Sequence, residues 1–174
     1  MKIMITGING AIGNVVANLM SKDHEVHGID VIKSDRPNTT YIDLADSVDD
    51  VSKAFEGMDA VLHLAADPRH DPWIGWKELM RPNMIATANV YSAAHKTGVR
   101  RFIFGGSMRV VAGYESDEPY ASIINGNYDG IDKNKIELIK GIGQDTRPNN
   151  EYATSKIFGE NLGRYFHEFE DMEV

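Results

Sequence analysis

The sequence predicts a doubly wound α/β domain, a parallel sheet with helices on both faces. Three observations carry that prediction. Short apolar runs at 3–5, 26–29, 41–42, 61–64 and 99–104 alternate with helical patterns at 11–21, 47–57, 73–97 and 150–169. Such alternation implies right-handed strand–helix–strand crossovers. A glycine-rich turn joins the first run to the first helix. Finally, 174 residues with 42% hydrophobic content supply one real core and exclude a disordered chain.

The elements follow in order. Ile3-Met4-Ile5 leads into Thr6-Gly7-Ile8-Asn9-Gly10-Ala11-Ile12-Gly13, and Ile12, Val15, Val16, Leu19 and Met20 recur with helical period behind it. A strand, a glycine turn and a helix start make a phosphate site, because unpaired N–H groups of the first helical turn point at the anion. The spacing is G-x-x-G-x-x-G, and two readings stand: a dinucleotide site of Rossmann type, or a turn with a close helix–strand contact. The second run ends at Asp30, where an acid meets the ribose hydroxyls of a bound dinucleotide or simply closes a strand-end turn. An anion there repels a 2′-phosphate, which favours NAD over NADP, while Lys33 and Arg36 nearby pull the other way. Ser47 is placed as an N-cap, with Asp49 and Asp50 in the first turn and Val48, Val51, Phe55 and Met58 as the buried stripe. Pro82 should kink or split the 73–97 helix, and Gly98 sits where a helix terminator belongs. Trp73 and Trp76 read as packing residues of that helix start, with a substrate lid as the other reading. Residues 113–147 break the rhythm, with a short helix possible at 131–140 and loop elsewhere.

Composition narrows the partners. Net charge is −8, which argues against nucleic acid and anionic membranes. The apolar runs are too short to span a bilayer, and Lys2 is followed by only three apolar residues, unlike a signal peptide. Absence of cysteine removes disulfides and thiol chemistry. The expectation is a soluble cytoplasmic protein. His63, Asp67, His70 and Asp71 match no metal-ligand spacing, so no metal is expected.

Tyr152-Ala153-Thr154-Ser155-Lys156 lies in the last helical pattern. A spacing of four puts phenol and ammonium on one face. A phenol, ordinarily of pKa about 10, becomes a usable base when a cation beside it favours the phenolate. Taken alone, this pair is equally an exposed helix pair.

Together these motifs resemble the extended short-chain dehydrogenase/reductase superfamily, the NAD-dependent sugar epimerases, dehydratases and dehydrogenases. The matches are the 6–13 loop, Asp30, Asp43-Leu44, His63-Leu64-Ala65-Ala66, Asn83, Arg101-Phe102-Ile103-Phe104 with Ser107, and Tyr152 with Lys156, in the right order along the chain. The resemblance implies a strand order like 3-2-1-4-5 and an NAD site built from Gly7, Asn9, Gly10, Ala11, Ile12, Asp30, Asp43, Leu44, Leu64, Ala65, Ala66, Asn83, Tyr152 and Lys156. It implies Tyr152 as proton-transfer residue, Lys156 as its cation and ribose ligand, and Ser107 as hydrogen-bond partner of the reacting oxygen. Ser107 is otherwise a strand-terminating turn residue.

Ala66-Asp67-Pro68-Arg69, Trp73, Arg147-Pro148, Phe158-Gly159-Glu160 and Ser107-Met108-Arg109-Val110-Val111 are most similar to uronate-dehydrogenase-like members, although Arg109 stands where that group carries His. Asp67, Arg69, Ser107 and Arg109 are the substrate candidates. The two arginines either hold a carboxylate or diphosphate or are solvated surface residues. The implied activity is oxidoreduction at a hydroxyl of a sugar or nucleotide-sugar. Release of NADH by a uronate dehydrogenase and a non-catalytic NAD-binding module are the alternatives. Two departures follow: the 113–147 insertion between Ser107 and Tyr152, expected to form a flap or an oligomer contact, and an end at Val174, where the resemblance places a sixth strand and then a substrate domain. By the same resemblance, a homodimer would pair helices 73–97 and 150–169.

Overall fold

The computed structural model describes residues 1–137, 139 and 145–174. Its five strands are β1 (Lys2–Thr6), β2 (Glu25–Asp30), β3 (Thr39–Tyr41), β4 (Ala60–His63) and β5 (Arg101–Phe104). They form one parallel sheet in the order β3-β2-β1-β4-β5, as the motifs imply. Glu173 adds a parallel bridge to Arg101 on the far side of β5.

Side-chain alternation along the strands feeds two cores. Ile3 and Ile5 face α1 (Ala11–Met20), packing with Ile8 and Ala17. Met4, Val61 and Phe102 face the other way, with α2 (Val48–Phe55), α4 (Ala86–Lys96) and α6 (Glu151–Phe169) contributing Val51, Phe55, Val90, Tyr91 and Phe166. Helices therefore cover both faces. Tyr91 is sandwiched between Phe102, at 4.0 Å between ring centroids, and Phe166, at 5.3 Å.

Ser47 caps α2 by accepting the Asp50 N–H at 3.4 Å. Val51 and Phe55 are wholly buried, with Val48 and Met58 packed at their margin. The stripe on α1 differs from expectation. Ile12, Val15 and Leu19 are 67%, 57% and 57% exposed. Gly13 and Ala17 face the sheet instead, because only small residues fit where the helix lies close to β1 and its loop.

Pro82 does split its helix. A short α3 (Trp76–Leu79) leads into a π-helical segment (Met80–Ile85) and then α4. Proline lacks an N–H and its ring clashes with the carbonyl four residues earlier, and a widened turn relieves both. The helix starts three residues later than the pattern suggests. Trp73 is 77% exposed and Trp76 38%; Ile74 is the buried side chain there. Gly98, at φ +72°, ends the α4 turn as expected.

The insertion is more ordered at its start than its composition suggests. A 3-10 segment (Met108–Ser116) and α5 (Tyr120–Ile124) replace expected loop. The possible helix at 131–140 is not formed: a single 3-10 turn (Lys133–Lys135) is flanked by non-helical Ile131, Asp132, Ile136 and Glu137, while Leu138 and Lys140 lie outside the described residues. Arg147 zips the insertion's ends together, donating its N–H to Val110 at 2.7 Å and accepting that of Gly113 at 2.7 Å.

Candidate active site

Gly7 turns the chain at φ +69°, and a Cβ there would lie 2.8 Å from the Ala65 backbone. A Cβ on Gly13 would lie 2.1 Å from the Gly7 carbonyl oxygen. Both positions therefore demand glycine, and the loop is drawn tight against the end of β4. Gly10 occupies the N-cap of α1, so no side chain caps the first-turn N–H groups, and no acidic residue stands among them. A helix start left this way attracts a phosphate.

Asp30 is buried at the end of β2. One carboxylate oxygen accepts the Asn9 N–H at 2.8 Å and the other the Ile32 N–H at 2.9 Å. Each oxygen keeps a lone pair for a ribose hydroxyl, so turn closure and ribose binding are compatible roles. Asn9 ties the loop to the segment after β2, donating to the Ile32 carbonyl at 2.6 Å and accepting from Ser34 at 3.0 Å. The Arg36 guanidinium lies on α1, against the side-chain oxygens of Asn14 and Asn18. Ala11 and Ile12 are exposed at the mouth of the loop. The tight glycine turn, the uncapped helix start and the strand-end acid fit a dinucleotide.

Other predicted cofactor residues are held by protein partners. Asp43 is bound by Arg81, with its second oxygen on the Ala45 N–H at 2.9 Å. Leu44 is core, its carbonyl accepting from Asn89 at 2.9 Å. Leu64, Ala65 and Ala66 run half-buried beyond β4, over the Gly7 turn. Asn83, on the π-helical segment, clamps the next residue of that run: its Oδ1 accepts the Asp67 N–H at 2.7 Å and its Nδ2 donates to the Asp67 carbonyl at 3.0 Å.

Asn150 caps α6 by accepting the Ala153 N–H at 2.8 Å, which fixes where the helix begins. Tyr152, Lys156 and Glu160 then recur at every fourth position and share a face. Lys156 donates to the Gly105 carbonyl at 2.8 Å, and its ammonium lies 5.0 Å from the Phe104 ring centre and 5.9 Å from that of Tyr152. Burial pulls the Lys156 pKa down to about 8, with Glu160 opposing the fall. Burial pushes the Glu160 carboxyl up, against the pull of Lys156 and the Ser107 N–H. Ser107 accepts the Arg109 N–H at 3.2 Å, and among the described residues its own O–H has no acceptor. The close approach of α6 to β5 depends on Gly159, where a Cβ would meet the Phe104 ring at 2.2 Å. The structure thus brings Lys156, Tyr152 and the 105–107 strap together at the carboxyl end of β5.

The substrate candidates divide. Asp67 and Arg69 close on each other, with contacts of 2.5–3.0 Å between guanidinium and carboxylate, and Arg69 holds the Asp67 carboxyl below its ordinary range. Arg109 instead donates to His70 Nε2 at 3.3 Å, and the His70 ring centre is 6.1 Å from that of Tyr152. The Pro68 carbonyl, 3.1 Å from His70 Nδ1, can only accept, so Nδ1 carries the proton and Nε2 is the acceptor. Sequence reasoning does not place His70 or Glu160 among the site residues. His70 enters it only as a metal-ligand candidate and Glu160 only within the Phe158-Gly159-Glu160 match; the spacing of four from Lys156 could have placed Glu160 in the site, while no pattern pairs His70 with Arg109. Among the described residues no three His, Asp or Glu side chains are grouped to hold a metal, and no helix is long and apolar enough to cross a membrane.

A parallel sheet in this order, a tight glycine turn behind β1 and a Tyr/Lys pair near the end of β5 define an α/β domain of Rossmann type. The chain belongs to the NAD dependent epimerase/dehydratase family, whose family model matches residues 3–174. It is similar to the L-arabinose 1-dehydrogenase (NAD(P)(+)) of Haloferax volcanii, 30% identical over 99% of this chain and 64% of that protein. A NAD-dependent glucose-6-phosphate dehydrogenase of the same organism is 29% identical over 99% of this chain and 65% of that one. Among solved structures, a mutant uronate dehydrogenase from Agrobacterium tumefaciens complexed with NAD superimposes with a TM-score of 0.74 at 26% identity, covering 97% of this chain and 57% of that one. The chain therefore spans less than two thirds of the length of these relatives.

Proposed function

We propose that this chain binds NAD and oxidises a hydroxyl of a sugar, with Tyr152 taking the hydroxyl proton. The observation that carries this reading is the Lys156 ammonium, buried against the Gly105 carbonyl on the face it shares with Tyr152, beside Ser107. Gly7, Gly10, Ala11 and Ile12 would hold the pyrophosphate, Asp30 the adenosine ribose, and Lys156 the nicotinamide ribose. Bound NAD would accept the hydride released from the carbinol carbon. The chain's own groups handle the proton. Ser107 O–H donates to the substrate oxygen and orients it. Tyr152, on the helix face it shares with the Lys156 ammonium, accepts the proton as the carbonyl forms.

Three relatives named as dehydrogenases of arabinose, glucose 6-phosphate and a uronate support a dehydrogenase that releases NADH over an epimerase that retains it. Arg109 beside His70, at the mouth of the site, suits an anionic group on that sugar. Arg69 is engaged with Asp67 and is the weaker candidate. Exposed Met80, Ile85 and Phe169 on the helices named for pairing support a homodimer through them.

Tyr152→Phe tests the central claim. Removing one general acid–base group should cost about 10²- to 10⁴-fold in NADH formation from an aldose or uronate. NAD affinity, read by quenching of intrinsic fluorescence, should stay near wild type. Full turnover by the variant would refute a catalytic tyrosine and leave a binding module.

A further inference from the structure

His63 ends β4 and takes no part in the chemistry above, yet it is one of the most buried polar groups in the protein, 1% exposed. Its Nδ1 lies 2.6 Å from Thr6 Oγ and its Nε2 3.0 Å from Thr87 Oγ. Proton accounting fixes the direction of both bonds. Thr87 O–H donates to the Asn83 carbonyl at 2.7 Å, an oxygen that can only accept. Its single proton is thereby spent, so Thr87 Oγ accepts from His63 and Nε2 carries the hydrogen. Nδ1 is then an acceptor, and Thr6 O–H donates to it. Thr6 Oγ in turn accepts the Ala65 N–H at 3.2 Å.

The hydrogen bonds therefore run one way, from Ala65 through Thr6, His63 and Thr87 to the Asn83 carbonyl. The Asn83 side chain continues the line. Besides clamping Asp67, it donates to Ser155 Oγ at 3.1 Å, and Ser155 donates to the Tyr152 carbonyl at 2.7 Å. Thr6, His63, Thr87, Asn83 and Ser155 are all buried. Near one end of this line is Thr6, the residue before the first glycine of the loop; the other end is the first turn of the helix that carries Tyr152 and Lys156.

We propose that His63 is a positioning residue, a neutral one-way hydrogen-bond relay that couples the glycine loop to the Tyr152 helix. Dinucleotide binding at the loop and placement of the tyrosine are then one event. This rests on the dinucleotide reading above. Two physical facts suit a neutral imidazole here. Burial and the nearby Lys156 ammonium hold its pKa down, to about 3. A second ring proton would also face Thr6, whose oxygen would then have to turn its own hydrogen elsewhere.

The relay predicts energetic coupling between two hydroxyls that do not touch each other. NADH dissociation constants are measured by fluorescence for wild type, Thr6→Val, Thr87→Val, the double variant and Thr87→Ser. Thr87→Val should weaken binding about 3- to 10-fold, the worth of one buried hydrogen bond, although Thr87 lies behind the sheet's end. In the Thr6→Val background it should add little, and Thr87→Ser, which keeps the hydroxyl, should restore affinity. Additive effects, or an unchanged dissociation constant with only a lower unfolding midpoint, would overturn the proposal. Should the double variant fail to fold, Thr87→Val against Thr87→Ser decides alone, equal affinities overturning it. A wild-type chain that binds no NADH sinks the dinucleotide reading instead. The relay is then read from coupling in the unfolding midpoints, and additive midpoints overturn it.

Discussion

Two buried nitrogen bases stand close together at the end of the sheet, and they share the cost of burial unequally. Lys156 keeps a carbonyl partner and a carboxylate nearby and stays within reach of neutral pH. His63 has only hydroxyl partners and remains neutral. The sign of its effect on stability follows. The unfolded imidazole titrates near 6.5 and the folded one near 3. Below 6.5 the unfolded chain binds a proton that the folded chain refuses, so stability falls as pH drops through that window. The loss is up to about 1.4 kcal/mol per pH unit. Urea midpoints at about pH 7 and about pH 5 should therefore differ more for wild type than for His63→Gln, which has no such proton to bind. Equal differences in the two proteins would show that His63 does not carry the acid sensitivity.

At the scale of elements, helix α6 matters through its contact with β5. Gly159 permits that contact, with no room for a Cβ against the Phe104 ring. Gly159→Ala should destabilise by roughly 1–3 kcal/mol through overpacking, outweighing the gain in helix propensity. It should also weaken NAD binding, because lifting α6 draws Lys156 from the Gly105 carbonyl. Thermal unfolding with a fluorescence titration measures both; an unshifted midpoint would show that the contact is loose. These elements were largely legible in the sequence. Strand and helix alternation and the Ser47 cap express short-range rules, and Pro82 declares its own break. The outward turn of Ile12, Val15 and Leu19 was not legible, because apolar period alone does not say which side of a helix meets the sheet. The motifs led to Ser107, Tyr152 and Lys156, and the structure sets Lys156 against Gly105, two residues before Ser107, on the helix that carries Tyr152; their catalytic roles belong to the proposal above. The site was not legible where partners come from distant elements: Asn83 to Ser155, Arg109 to His70, Asp43 to Arg81.

For the whole molecule, the 113–147 insertion is the feature that most distinguishes this chain from the pattern its motifs follow. It leaves the fold directly after Ser107 and Arg109 and returns at Arg147, just before the Asn150 cap of α6. Its ends are zipped by the Val110, Gly113 and Arg147 backbone and by the Arg147–Asp117 ion pair. Arg147 also lies over the Tyr114 ring, 5.3 Å from its centre. Both anchors thus belong to the segments that carry the proposed catalytic groups, while α5 has no fully buried side chain and Lys133 and Asn134 are exposed. A segment held at its base and thinly packed beyond it opens locally at little free-energy cost. Ligand bound between Ser107 and Tyr152 would close the base and reduce that opening. Limited proteolysis should cut first between Asp117 and Glu137, and NAD or a bound sugar should slow that cut several-fold. The readout is the mass of the fragments over time, with and without each ligand. Cleavage at the same rate in both would show that the insertion does not sense the site, and it would then be better explained as a contact between copies of the chain.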